Sequence, residues 1–374
     1  VPLAGNSVGK ERIAILLPDL HAGGAERVNV NLANSFVARG LAVDIVVMRS
    51  LGELLNQLDP RVRVVGLGAA RIRNSLRPLR GYLRQVQPDA MLANMWPLPV
   101  VALCARALAR CRTKIIGVAH TTWSRSELFA NPLTRAHLKL SMRLFYPHLD
   151  GVVAVSDGAA ADLCHISGLR RDRITTIYNP IVGSSFAGHA QTSVPAAWSE
   201  GVHSKILAVG TLKPIKDYPT LLHALARLRE AHDARLLILG EGEERSALES
   251  MVSSLGLGGS VFLPGFEMDP RPYYRAADLF VLSSTGEGFG NVVVEALEEG
   301  TPVVSTDCPS GPREILEDGK YGTLVPVGDV HALAKAMEDA LAGEHDREAL
   351  KRRAQDFTIE KAADAYLRLL MGRA

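Results

Sequence analysis

Short apolar runs rich in Val, Ile and Leu alternate along the chain with longer stretches in which apolar residues return every three or four positions. Such runs predict buried strands and the longer stretches predict helices, so the rhythm predicts βαβ units around parallel sheets. In the first half the predicted strands are 13–17, 43–48, 62–65, 90–93, 114–118 and 151–155, with 174–177 closing the series before Tyr178-Asn179-Pro180. The proline pushes Asn179 out of helical geometry and marks a turn. The stretch 183–203, which contains Pro195, is polar and weakly patterned and reads as the connection to a second domain. There the rhythm restarts, with strands at 206–209, 236–239, 261–263, 279–282, 303–305 and 323–325 and helices at 218–231 and 244–255. An amphipathic last helix is predicted over 358–370, where Ile359, Ala362, Ala363, Tyr366, Leu367 and Leu370 share a face.

The expected fold class is therefore α/β, with two Rossmann-like doubly wound domains. Residues 1–182 make the first, with a terminal helix of about 357–374 packing back onto it, and residues 183–356 make the second. A length of 374 residues suits two cores better than one. The halves share a rhythm without a sequence repeat. Ligands of doubly wound sheets bind outside the carboxyl ends of the strands, so chemistry is expected in the loops after each strand, at a cleft between the two sheets.

Composition adds little until charge is mapped. A chain with 47% hydrophobic and 22% charged residues reads as globular. No apolar run reaches the ~20 residues that cross a bilayer. The first ten residues lack an initiator Met and a basic-then-apolar leader, which reads as a trimmed end and does not indicate export. Cys104, Cys111, Cys164 and Cys308 are scattered without a CxxC pair, so neither a zinc site nor a disulfide framework is expected, and a reducing cytoplasm is the simplest setting. Between Arg61 and Phe145, fifteen Lys and Arg face only Asp89 and Glu127, a local charge of about +13. Such a surface attracts phosphate, in nucleic acid or at an anionic membrane. Sparse aromatic residues weaken the single-strand nucleic-acid option, and a merely solvated basic face is the plain alternative.

The strongest motif is Ser283-Ser284-Thr285-Gly286-Glu287-Gly288-Phe289-Gly290-Asn291-Val292-Val293-Val294-Glu295-Ala296, between a predicted strand and a predicted helix. Its glycines let backbone amides approach a ligand, and the first turn, Asn291 to Val293, turns free N–H groups and the positive end of the helix dipole toward an anion. Glu287 precedes that turn. Glu295, a little over two helical turns later, can accept two hydrogen bonds from a vicinal diol such as a ribose.

Glu287 and Glu295 form the E-x7-E arrangement of retaining GT-B glycosyltransferases. The stretch from Glu287 through Gly300-Thr301-Pro302 and Cys308-Pro309-Ser310-Gly311-Pro312-Arg313-Glu314 resembles glycosyltransferase family 4, and is similar to bacterial enzymes that extend lipid-linked oligosaccharides. The resemblance implies that Glu287 contacts the transferred sugar, that Glu295 holds the ribose, and that amides around Gly288, Phe289, Gly290, Asn291 and Val292 cradle sugar and diphosphate.

Three further loops fit that frame. In Val209-Gly210-Thr211-Leu212-Lys213-Pro214-Ile215-Lys216, a lysine offers point charge to a leaving diphosphate. Many relatives carry Arg where this chain has Thr211, so Lys213 or a basic residue of the first domain is needed to compensate. His21-Ala22-Gly23-Gly24-Ala25 is a candidate anion-binding turn and equally a plain strand-to-helix turn. In Val118-Ala119-His120-Thr121, His120 follows a predicted strand, and the resemblance implies contact with donor sugar and acceptor. Asp157 sits after another strand and could simply cap the next helix. Around Gly265 and Phe266 the resemblance implies a uracil pocket.

No Asp-x-Asp occurs, so the leaving-group charge is expected to be met by Lys216 and helix N-termini, with no metal or other cofactor. The expected reaction is retaining, front-face transfer from a UDP-sugar, with a diphosphate oxygen taking the acceptor proton. Arg125 could meet an acceptor phosphate, and the mixed basic and apolar stretch Arg135 to Phe145 suits a helix lying on an anionic membrane. These point to a lipid-diphosphate-linked saccharide acceptor and an enzyme peripheral to the inner membrane face, with no nucleic-acid partner. A GDP-sugar mannosyltransferase, a GT-B-fold epimerase or phosphorylase, and a basic nucleic-acid-binding protein are the competing readings.

Overall fold

The computed structural model describes residues 11–125, 127–184, 194–201 and 203–372. The first ten residues and much of the connecting stretch 183–203 lie outside the described residues. Two compact units result: residues 1–180 with 359–374, and residues 181–358. The chain passes between them at Pro180 and again at Thr358.

The first unit is built on seven strands: β1 (Arg12–Leu17), β2 (Ala42–Val47), β3 (Arg63–Gly66), β4 (Ala90–Asn94), β5 (Lys114–Ala119), β6 (Gly151–Ala154) and β7 (Ile174–Thr176). Their order is β3-β2-β1-β4-β5-β6-β7, and each neighbouring pair is parallel. Register is set by apolar pairs such as Ile13 opposite Val43 and Ile15 opposite Ile45. Every residue of β4 is buried, as expected for a parallel strand covered on both faces. The one buried charge of β2, Asp44, is matched by Arg12, Arg63 and the Tyr82 hydroxyl. The helix Ile359–Met371 belongs to this unit, burying Ala362, Ala363, Tyr366 and Leu370, and Arg39 ties to its Asp364 at 2.6 Å.

The second unit repeats the plan with β8 (Ser204–Val209), β9 (Ala234–Leu239), β10 (Val261–Gly265), β11 (Leu279–Leu282), β12 (Val303–Thr306) and β13 (Thr323–Val325). Its parallel sheet runs β10-β9-β8-β11-β12-β13. In both sheets the strand order reverses beside the first strand, between β1 and β4 and between β8 and β11. A ligand crevice opens at such a switch point, just beyond the carboxyl ends.

Local chemistry explains several boundaries. The helix Asp157–Ser167 is capped by Ser156, whose Oγ accepts from the Ala159 amide at 3.1 Å, and it ends on left-handed Gly168. Asp157 is thus the first helical residue and not the cap; its carboxylate takes Arg171 and the Thr176 hydroxyl instead. The stretch read as a polar connection hides a core anchor. Trp198, in the short helix Ala196–Ser199, is fully buried and donates from Nε1 to the Arg235 carbonyl at 3.2 Å.

Candidate functional site

The loops after β8 and β11 flank the switch point of the second sheet, and they are stitched together. The Thr285 amide donates to the Ile215 carbonyl at 2.8 Å, and Ser283 Oγ donates to the Lys216 carbonyl at the same distance. This lacing brings Lys216 to Glu287, seventy-one positions later, with Nζ donating to Oε1 at 2.6 Å. Ser284 Oγ donates to the same oxygen at 2.7 Å. Both charged side chains are largely buried, at 16% and 12% exposed. A charge pair shielded in this way keeps one geometry, since both partners lose most of their alternative hydration.

The carboxylate's field reaches its neighbours. Burial pushes the Cys308 thiol up to about 12, with the Glu287 charge adding to the shift and Lys216 opposing it. Burial, then Glu287, also raises the Tyr218 phenol well above its usual range. A lysine ahead of a helix is electrostatically odd by itself. Here Asp217 intervenes, capping the helix Tyr218–Leu228 and bonding the Thr220 hydroxyl at 2.7 Å, while Glu287 takes the ammonium.

The glycine motif forms as predicted between β11 and the helix Asn291–Glu298, whose N-cap is left-handed Gly290. Phe289 is a core residue, buried and edge-on to Phe357 with ring centroids 5.5 Å apart, so its ring is committed to the core and only its backbone is left to the loop. The backbone after β12 presses on this loop so closely that a Cβ on Gly311 would sit 1.7 Å from the Phe289 carbonyl oxygen. Ser310 Oγ adds a bond to the Gly288 carbonyl at 3.1 Å. Glu295 is 9% exposed, and the Tyr274 hydroxyl donates to its Oε2 at 3.0 Å. Neither Ser284 nor Tyr274 was assigned a role from sequence. Ser284 lay inside the motif, but only folding shows its direction, and Tyr274 approaches from a different helix.

Around this centre, Gly210 and Gly240 meet at van der Waals limits: a Cβ on Gly240 would lie 1.9 Å from the Gly210 carbonyl oxygen. Thr211 and Lys213 are exposed, and the Lys213 ammonium has no ion-pair partner among the described residues. At the end of β10, left-handed Gly265 is followed by Phe266, which is 43% exposed. That is a large apolar ring on the same edge of the sheet.

The first unit places the other predicted residues differently. At the Gly23-Gly24 turn, the chain's own Glu26 carboxylate lies against Gly23, where a Cβ would be 2.1 Å from its Oε2. An acidic group thus already occupies the start of the helix Gly24–Ala38. His120 follows β5, with Nε2 2.8 Å from Asn94 Oδ1, and burial holds its imidazole down at about 4. Arg125 is exposed in the turn Trp123–Arg125. Among the described residues, no group of three His, Cys, Asp or Glu side chains is placed to hold a metal ion.

Two doubly wound units of this order, with an acid and a lysine joined at the second switch point, define a GT-B architecture. The chain belongs to the GT-B glycosyltransferases of the family 4 type. Its residues 22–182 match the model described as Glycosyltransferase Family 4, and residues 200–357 match Glycosyl transferases group 1. The lipopolysaccharide core biosynthesis glycosyltransferase LpsE of Rhizobium meliloti is 29% identical over 363 residues, 94% of this chain and 96% of its own. An α-1,4-N-acetyl-D-galactosaminyltransferase of Campylobacter jejuni, named for a diphospho-undecaprenol-linked acceptor, is 26% identical over 96% of this chain and 98% of its own. In fold, the chain is similar to HepE of Anabaena, solved with UDP-glucose, with a TM-score of 0.78 at 22% identity across 97% of this chain and 100% of that one.

Proposed function

We propose that this glycosyltransferase moves a sugar from a UDP-sugar, with retention and without a metal ion, onto a lipid-diphosphate-linked saccharide at an anionic membrane surface. The observation that carries the reading is the Glu287 carboxylate, held by Lys216 and Ser284 at the edge of the second sheet. In the proposed step the bond from the sugar's anomeric carbon to the diphosphate breaks as the acceptor oxygen bonds that carbon on the same face. The acceptor's proton passes to a diphosphate oxygen, so charge and atoms balance within the substrates. Glu287 orients sugar hydroxyls and steadies positive charge on the ring carbon. The remaining Lys216 protons, Lys213 and the amides that open the helix Asn291–Glu298 meet the charge growing on the leaving group. Glu295 serves the ribose and Phe266 the uracil.

The acceptor side draws on the relatives named for lipopolysaccharide core and lipid-linked glycans. It also draws on the helix Pro132–Phe145. Leu138 and Met142 bury one face of that helix, while Leu133, Leu140 and Leu144 stand on the opposite side at 81%, 57% and 57% exposure. Arg135, Lys139 and Arg143 run alongside at intervals of four, and the first two lie over the Phe129 ring. Outward leucines beside a cationic stripe suit the boundary between headgroups and acyl chains. No helix among the described residues is long and apolar enough to cross a membrane. Exposed Arg125 suits an acceptor phosphate.

The test is to incubate the protein with UDP- and GDP-sugars and a polyprenyl-diphosphate-linked acceptor, then read the anomeric configuration of the product by NMR. An α-linked product from an α-linked UDP donor, formed equally well in EDTA, is expected. Inversion, a strict metal requirement, or transfer from GDP-sugars alone would overturn the corresponding part of the proposal.

A further inference from the structure

In the second unit the short helix Arg271–Ala276 packs beside the helix Asn291–Glu298, and its Tyr274 is fully buried. Two contacts fix that residue. Thr301 Oγ1 donates to the Tyr274 carbonyl at 2.8 Å, and the ring lies tilted against Phe280 of β11 with centroids 5.5 Å apart. Held at backbone and ring, the side chain delivers its hydroxyl to Glu295 Oε2 at 3.0 Å. A side chain with no exposed surface cannot touch a ligand. Whatever Tyr274 does for a ligand therefore passes through Glu295.

Glu295 needs such a tether. It shares its helix face with Glu298 and Glu299, three and four positions on, and like charges at that spacing repel. Glu299 is matched by Arg275, from the helix that also carries Tyr274, through contacts of 2.6 and 3.0 Å. Glu298 accepts the Gly183 amide at 3.2 Å. Burial pushes the Glu298 carboxyl up, that amide draws it back, and the charges of Glu299 and Glu295 add to the rise. Glu295 thus stands in a crowd of acids that pushes on its carboxylate. A hydrogen bond from a phenol fixes one oxygen without cancelling the charge, as a guanidinium in the same place would do. A carboxylate fixed in direction and still charged has the geometry that a vicinal diol requires.

We propose that Tyr274 is the positioning residue for Glu295, and that it thereby sets a preference for ribonucleotides over nucleotides lacking the ribose hydroxyls. The inference rests on the reading above in which Glu295 serves the ribose, and it adds the residue that makes that contact selective.

The test is a binding cycle on the full chain, with no transfer step. UDP and GDP, each beside its dideoxyribose counterpart without the two hydroxyls, are titrated by calorimetry into the parent, Tyr274→Phe and Glu295→Gln. Whichever base is bound, the parent should hold the form with the diol at least about a hundredfold more tightly, the scale of two hydrogen bonds to a charged group. Tyr274→Phe keeps the buried ring. It should weaken the diol form about tenfold and leave the dideoxy form within about twofold of the parent, so that the preference shrinks by about tenfold. The dideoxy affinity also reports that the variant's site is folded. In turnover the donor KM should rise about tenfold with kcat within about twofold, the signature of a contact made equally in ground and transition states. A merely structural tyrosine would weaken both forms alike and leave their ratio unmoved. That result overturns the proposal, as does a parental ratio in Tyr274→Phe; in either case a lowered ratio in Glu295→Gln keeps Glu295 on the ribose. A parent that binds both forms equally, with Glu295→Gln unchanged, removes Glu295 from the ribose and takes the proposal with it.

Discussion

The two sheets share a strand order and differ at their carboxyl edges. In the second unit the loops after β8, β9, β11 and β12 are bonded to one another, and they hold an ion pair with little access to water. In the first, the switch point between β1 and β4 carries a helix start filled by Glu26 and a neutral histidine tied to Asn94, and charge is displaced outward to the basic, leucine-studded helix Pro132–Phe145. One plan thus yields a shielded lysine–glutamate grip on one sheet and, on the other, an edge whose helix start is already filled by the chain's own acid, with a sticky flank beside it. A grip fixed before the ligand arrives suits diphosphate and sugar, whose charge changes during reaction. Electrostatic stabilisation of that kind requires little rearrangement at the moment of bond cleavage.

The comparison is most severely broken at Glu287. Glu287→Gln should lower kcat by about a thousandfold, in line with losing a main electrostatic contact in a shielded site, while the fold persists because Ser284 can still donate to the amide oxygen. Near-parental turnover would remove Glu287 from the chemistry. Next comes Lys216→Ala, which strands the Glu287 carboxylate. Breaking a largely buried pair costs about 3 kcal/mol, so the melting temperature should fall by several degrees along with a marked loss of rate. An unchanged melt would mean the pair is not formed in solution. Gly311→Ala should destabilise by about 2 kcal/mol through overpacking and strain at a φ of +88°, and weaken donor binding in a thermal-shift titration. A stable variant with full donor affinity would show that the loop does not depend on that close approach. The smallest effect sharpens the other side. Replacing Leu133, Leu140 and Leu144 together by Ser should reduce flotation with anionic liposomes at least tenfold, given about 1.5 kcal/mol or more per buried leucine, with the melt near the parent's. Undiminished flotation would take the apolar face out of the interaction.

All thirteen strands were legible as short apolar runs, most of them β-branched or leucine-rich as a strand buried on both faces must be, while the edge strands β3 and β13 are only partly buried. Their edges shifted by a residue or two, as when β8 begins at Ser204 and β10 runs on through Gly265. The helix expected over 218–231 ends at Leu228, where the Arg229 amide still bonds back to Leu225 but the chain turns away. Trp198 was invisible as a core residue because it stands alone among small and polar residues with no apolar periodicity, and its partner is a carbonyl on β9. At the site, the residue types and the E-x7-E spacing were legible. The pairings were not. Lys216 with Glu287, Tyr274 with Glu295 and Asn94 with His120 join separate elements, and no local pattern records which side chains converge once a sheet is assembled.

The glycine contacts at the second sheet edge carry a consequence for anyone wishing to redirect this enzyme to another sugar. With Gly240 against Gly210 and Gly311 against Phe289, there is no slack through which a longer or bulkier loop could settle. New specificity has to be written in side chains that project from this rigid rim, such as Thr211, Lys213 and Phe266, while its length stays the same.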